Sequence, residues 1–205
     1  TGANLYHDLH RPYEFPMKQG EVFVDDAELN EQGISRIYDV YIEDSKTLMA
    51  TDQVVLETAK EIANKTSESI STAEFHNYLG KNVLKTAKHP EKSILATAAK
   101  LNVPIYTSSP GDSSIGVNLV TPHLFGKKVI TDPIKDIIET TAIVMNSKKN
   151  GAIEIGGGSP KNFYMQTQPT LWQILRIKKG GHDYFVQLTT DSPQWGGLSG
   201  ATPQE

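Results

Sequence analysis

The run Gly151-Ala152-Ile153-Glu154-Ile155, followed at once by Gly156-Gly157-Gly158-Ser159-Pro160-Lys161, constrains the fold more than any other stretch. A short apolar run of this kind reads as a buried strand, and three glycines end it. Ser159-Pro160 then open a helix, since proline is tolerated in the first helical turn. Glycine lets the backbone turn tightly and approach a ligand with no Cβ in the way. The helix start beyond it offers unpaired N–H groups and a positive dipole end to an anionic group. The spacing is not G-x-G-x-x-G, and glycine-rich strand-to-helix turns also occur where nothing binds.

The rest of the chain continues the alternation. Glu21-Val22-Phe23-Val24 and Ile37-Tyr38-Asp39-Val40-Tyr41 read as short strands. Thr51 caps an expected helix to about Asn64, and Ser71-x-x-Glu74 is a capping box for a second. A third helix runs from Ser93 to about Leu101, with strands expected at Val103–Tyr106 and Val129–Thr131. Asp132-Pro133 cap a helix whose apolar side is Ile134, Ile137, Ile138, Thr141 and Met145. A helix from Pro160 to about Lys178 and a strand at 183–188 close the series. Apolar strands alternating with helices predict an α/β, Rossmann-like fold, its mostly parallel sheet covered by helices on both faces.

Composition narrows the function. A chain of 205 residues with 38% hydrophobic content can bury one substantial core, so residues 1–205 are expected to be a single domain. A net charge of −4 with scattered Lys and Arg argues against a nucleic-acid partner. The absence of cysteine removes disulfides, thiolate metal sites and a cysteine nucleophile. No apolar run approaches a membrane span and no signal peptide is visible, so a cytoplasmic location is expected.

Ligands of parallel sheets gather at the carboxyl ends of the strands. Three small polar loops follow expected strands: 107–114 with Asp112, 156–158, and 189–192 with Thr190 and Asp191. They could supply backbone donors for phosphates and a carboxylate for ribose hydroxyls, so Asp112, Gly157 and Thr190 are expected together at one sheet edge. The six histidines have no metal-ligand spacing. His182, after Gly180-Gly181, reads as part of a solvated turn. His7, between Tyr6 and Asp8, is the histidine that merits a place in a site. Trp195 in its glycine loop suits a pocket wall.

The glycine run 156–161, the ending from Gly196-Gly197-Leu198-Ser199-Gly200-Ala201 to Glu205, and Asp112-Ser113-Ser114-Ile115-Gly116 together resemble the deoxyhypusine synthase family. Gln32–Ile37 and Val129–Ile134 fit its pattern too. The likeness runs over nearly the whole chain in one order, and it is to the middle and C-terminal portion of the family. Thr1-Gly2-Ala3-Asn4-Leu5 is similar to the family's Thr-Ala-Gly-Gly-Val stretch, and Glu205 to the Glu that opens Glu-Ala-Val-Ser-Trp-Gly-Lys. The covalent lysine of that segment would lie just beyond Glu205, and the domain is expected to be incomplete at both ends.

The resemblance implies NAD as cofactor, a polyamine such as spermidine as substrate, transfer of an aminobutyl group, and a homotetramer with sites shared between subunits. Tyr6, Leu198 and Trp195 would then be partly covered by a neighbour. By position Thr1, Gly2, Ala3, Asp112, Gly157, Thr190 and Asp191 would contact NAD. His7, Asn162, Gly196, Gly197 and Glu205 would face the substrate. The substrate side departs from the family. Its paired Glu position is Tyr6-His7, one Asp position is Val117, another is Leu198, and the catalytic His is Asn162, which cannot act as a base. With so few carboxylates spermidine should bind poorly, and altered amine specificity follows. The alternatives are a homospermidine-synthase-like enzyme with putrescine as acceptor, and a non-catalytic NAD-binding oligomeric scaffold.

Overall fold

The computed structural model describes residues 1–192, 194 and 198–200. They form a mixed α/β structure that separates into two compact units, Thr1–Thr131 and the chain from Asp132 onward.

The first unit begins with helix α1 (Gly2–Asp8), capped by a reciprocal Thr1–Asn4 hydrogen-bonding pair. Strand β1 (Met17–Gln19), helix α2 (Asp26–Glu31) and strands β2 (Ile34–Ile37) and β3 (Val40–Glu43) follow. The three strands make an antiparallel sheet in the order β1-β3-β2. The strand expected at 37–41 is therefore two strand ends around a tight turn, with Tyr38 at φ 53°. The strand expected at 21–24 does not form either. Asp25 accepts a hydrogen bond from Ala27 N and starts α2, which leaves Phe23 97% exposed in the connection.

Helix α3 (Met49–Lys65) starts after a wider helical turn at Asp44–Leu48. Thr51 is consequently not a cap. It is buried one turn inside, with its hydroxyl donated to Thr47 O at 2.7 Å. The expected capping box does open α4 (Thr72–Thr86): Glu74 N donates to Ser71 Oγ and Ser71 N to Glu74 Oε2, at 3.1 and 2.9 Å. Ser93 caps α5 (Ile94–Leu101) as expected. A Cβ at Gly80 would overlap the Leu95 carbonyl, so α4 and α5 approach closely only because that position is glycine. Short helices α6 (Ser114–Val117) and α7 (Val120–Leu124) complete the unit. Its core joins Leu5 of α1 and Leu9, which caps it, to Val55, Ile62, Phe75, Leu79, Val83 and Leu95. Each such buried side chain contributes about 1.5–3 kcal/mol of transfer free energy.

The expected strand at 103–106 has no strand neighbour among the described residues. Val103 N instead donates to Ala98 O at 2.9 Å and Ile105 O lies 2.8 Å from His76 Nδ1, while the Thr107 N that follows donates to Thr72 Oγ1 at 3.0 Å. The expected strand at 129–131 is reduced to one parallel bridge between Ile70 and Thr131.

In the second unit Asp132 caps α8 (Pro133–Asn146) by accepting from Ile134 N at 2.9 Å. The buried side of α8 carries Asp136, Thr141 and Val144, whereas Ile134, Ile138 and Met145 of the expected apolar side are exposed. Strands β4 (Gly151–Ile155) and β5 (Tyr184–Leu188) pair in parallel, from Gly151 opposite Tyr184 to Ile155 opposite Leu188. Between them, α9 (Ser159–Met165) gives way to shorter helical turns through Ile174, with Pro169 among them, rather than one helix to Lys178. The sheet structure thus differs from a mostly parallel one: the three-stranded sheet is antiparallel, and the parallel pairing of strands is confined to β4 and β5 among the described residues. Nor is that pair covered on both faces, since Ile153, Ile155, Val186 and Leu188 are exposed. Among the described residues no helix is long and apolar enough to cross a membrane.

Two histidines of the first unit give its stability a defined acid limb. His10 and His76 are 0% and 4% exposed, and burial is the leading cause that pushes both pKa values down to about 4. The unfolded chain, near 6.5, takes up protons first, so stability is complete above about pH 6.5 and falls as pH drops toward 4. Urea unfolding should give a free energy lower by about 4 kcal/mol at pH 5 than at pH 7, and His76→Gln should remove roughly half of that difference.

Candidate functional site

Burial of Leu5, Tyr6 and Leu9 seats α1 and thereby places its polar residues. Gly2 packs so closely that a Cβ would overlap the Ser113 side chain. Thr1 and Gly2 therefore lie beside the 107–114 loop, while the side chain of Ala3 is exposed. In that loop Asp112 N donates to Ser109 O at 3.2 Å, and its exposed carboxylate accepts from none of the described residues.

Tyr6 and His7, neighbours on α1, have opposite fates. The Tyr6 hydroxyl is shared between Asp52 Oδ1 at 2.8 Å and Leu48 O at 3.0 Å, and Asn118 Nδ2 donates to the same Asp52 oxygen at 2.6 Å. Burial first, then the hydrogen bond and charge of Asp52, push the Tyr6 phenol far above its ordinary range. Tyr6 is thus a buried strut at 4% exposure, closed to a neighbouring subunit by its own chain. His7 is half-buried, with Nδ1 3.0 Å from His10 Nε2. His10 Nδ1 in turn lies 2.9 Å from Thr51 Oγ1. Burial lowers the pKa of His7 as well.

In the second unit Gly157 and Thr190 follow adjacent parallel strands and so share one end of the pair. Gly156 and Gly158 sit at φ 85° and 91°, conformations that only glycine adopts readily. Gly156 N donates to Leu188 O at 2.8 Å, whereas the N–H groups of Gly157 and Gly158 have no acceptor among the described residues. A Cβ at Gly157 would overlap Leu198, which is itself buried at 5% exposure. Asp191 N donates to Thr189 Oγ1 at 3.1 Å, and Asn162 is exposed on α9 with its N–H on Gly158 O at 3.0 Å. Trp195, Gly196, Gly197 and Glu205 lie outside the described residues. Asp112 belongs to the first unit and Gly157, Thr190 and Asp191 to the second.

Several residues escaped the motif reading. Lys161 is 6% exposed, with Nζ donating to Ser199 O at 2.7 Å and Gln187 Oε1 at 3.2 Å, 5.7 Å above the Phe185 ring. Both carboxylate oxygens of Glu154 are buried with no hydrogen-bond partner among the described residues; burial raises its pKa against the opposing charge of Lys161. His182 is buried rather than solvated, stacked on Tyr164 at 4.4 Å with Nδ1 2.6 Å from Asn150 Oδ1. The i, i+3 spacing of His7, in the last turn of α1, and His10, just beyond its end, was the available sign of their pairing.

The family model for deoxyhypusine synthase matches residues 1–205. A deoxyhypusine synthase-like protein of Nostoc sp. (strain PCC 7120) is 46% identical over all of this chain and 55% of its own length. A probable deoxyhypusine synthase 2 of Methanosarcina acetivorans is 42% identical over the whole chain and 58% of its own length, and a probable deoxyhypusine synthase 1 of Archaeoglobus fulgidus is 33% identical over the whole chain and 61% of its own. The chain belongs to the deoxyhypusine synthase family, and it spans just over half the length of these curated relatives.

Glu154 provides a test of the second unit. A carboxyl whose folded pKa is raised contributes its full stability only below its unfolded pKa and loses it as pH rises through the folded value. Glu154→Gln should therefore raise the melting temperature of the protein at pH 8 and leave it almost unchanged at pH 4. An equal or lower melting temperature at pH 8 would contradict the unpaired burial of this carboxylate.

Proposed function

We propose that this protein is an NAD-dependent aminobutyl-type transferase acting on amines or polyamines, with a substrate preference shifted from that of its family. The observation that carries the reading is the Tyr6-His7 position. Here a family member places a buried, hydrogen-bonded phenol and a half-buried imidazole where the family pattern has a pair of carboxylates. Such a pocket attracts a multivalent cation weakly and suits a smaller amine better. On this reading residues 1–205 belong to one NAD-binding, Rossmann-like domain, of which β4–β5 is a parallel strand pair. The protein works as a cytoplasmic homotetramer.

The cofactor side fits the polar groups left free. The N–H groups of Gly157 and Gly158 would donate to the cofactor phosphates, with Thr190 and Asp191 beside them at the strand ends. Asp112 would accept from ribose hydroxyls, with Thr1, Gly2 and Ala3 alongside its loop. NAD, when bound, supplies the hydride acceptor for amine oxidation. On the substrate side His7 would meet an amine directly. Asn162, exposed and without acid–base chemistry, would serve as a hydrogen-bonding group, and Gly196, Gly197 and Glu205 complete the substrate-facing set.

Calorimetry on the full-length protein should show NAD binding and weak spermidine binding. Asp112→Ala should weaken NAD about tenfold or more, the scale of losing a hydrogen bond to a charged group, and leave the amine affinity unchanged. An amine-pair screen with NAD supplied should find turnover with a pair that includes a small diamine. Tight spermidine binding without measurable NAD binding would reverse the assignment.

A further inference from the structure

His7 does not stand alone. Three hydrogen-bonding contacts run inward from it, through His10 and Thr51, to the carbonyl of Thr47. We infer that His10 and Thr51 lock His7 in its Nδ1–H tautomer, so that its bare Nε2 is the acceptor of an N–H, and then of the proton, from the amine substrate; this rests on the function proposed above and names the group that performs one of its steps.

The direction of each bond follows from the innermost one. The Thr51 hydroxyl has a single proton, and at 2.7 Å it donates that proton to Thr47 O. Toward His10 it can then only accept, so the 2.9 Å contact places a proton on His10 Nδ1. A neutral His10 protonated at Nδ1 carries a lone pair on Nε2. Two facing lone pairs at 3.0 Å would repel, so His7 Nδ1 must bear the proton between the rings. The full burial of His10 keeps it neutral and closes the alternative in which both of its nitrogens donate.

The two nitrogens of an imidazole point in nearly opposite directions. With Nδ1 turned toward buried His10, His7 turns Nε2 outward, and that atom makes no hydrogen bond with any described residue. The arrangement is the one a base needs: a free acceptor atom, with the opposite nitrogen held by a second group and that group by a third. A neutral acceptor of this kind takes one N–H in a defined direction and adds no charge. When an ammonium loses its proton to Nε2, the N–H bond breaks and its electron pair remains on the amine nitrogen. The Nε2 lone pair forms the new N–H bond. The resulting imidazolium is stabilised through its Nδ1–H, now a charge-assisted donor to His10 Nε2, until the proton passes to water. His7 is then the catalytic residue, and His10 and Thr51 are positioning residues.

The test is spectroscopic and does not wait on the true substrate. The full-length protein, labelled with ¹⁵N in histidine, is recorded at pH 7.5 in long-range ¹H–¹⁵N correlation spectra, with signals assigned from His7→Gln and His10→Gln. The expected result is a protonated Nδ1 and a bare Nε2 for both His7 and His10. Thr51→Val should abolish this pattern, and Thr51→Ser should retain it. A wild-type spectrum with His7 protonated on Nε2, or a folded Thr51→Val protein with the pattern intact, would overturn the lock. Addition of putrescine, then separately of spermidine, should shift the His7 Nε2 signal. An intact tautomer pattern with no response to either amine would overturn the acceptor role, while NAD binding, measured separately, decides the function itself.

Discussion

The carboxylate of Asp8 holds the first unit's opening helix against a segment about 85 residues away. Its Oδ2 accepts from Ser93 Oγ at 2.7 Å and Leu95 N at 3.2 Å, and its Oδ1 from Ile94 N at 3.0 Å. The Ile94 and Leu95 N–H groups are orphan donors at the start of α5, where a negative charge is also favoured by the helix dipole. With Asp8 fixed, Tyr6 is directed into the core and His7 sits beside it, half-buried. The polar face of α1 therefore depends on a bond that α1 cannot make by itself.

The polar residues of the candidate site divide by whether the fold consumes them. Tyr6, Asp52, Asn118 and Thr51 are bound to one another or to backbone, and they hold shape. Asp112, the N–H groups of Gly157 and Gly158, and one nitrogen of His7 have no partner among the described residues. The second set is the one that can meet a ligand. The Glu154 carboxylate is both buried and without a hydrogen-bond partner among the described residues, and its raised pKa expresses the cost.

Much of the local structure was legible. Ser71 with Glu74, Ser93, and Asp132-Pro133 announced three helix starts, because a cap is a contact between residues two or three positions apart. The glycine run ended a strand and turned into a helix as expected. The strands were harder. An apolar run at 103–106 looks the same whether its backbone bonds to a strand or, as happens here, to Ala98 O and the His76 ring. Thr51 showed a cap's residue type but lies one turn inside a helix that had already begun. Within the site, His7 could be picked out from its neighbours and from the family's pattern. His10 showed only its i, i+3 spacing from His7, and Thr51 showed nothing of this role, since the bond that joins them spans 41 positions and belongs to no motif.

By itself the sequence determined the family, the absence of cysteine chemistry, and the places where helices begin, because each of these depends on residue identity or on neighbours a few positions apart. Tertiary structure alone decided that Tyr6 is consumed by Asp52 across 46 positions and that His10 meets Thr51 across 41. It also decided which of the candidate site positions still presents a polar atom with no partner among the described residues. The reason is physical: whether a polar atom is spent or available depends on the donors and acceptors that packing brings within about 3 Å of it, and that packing joins residues far apart in the chain.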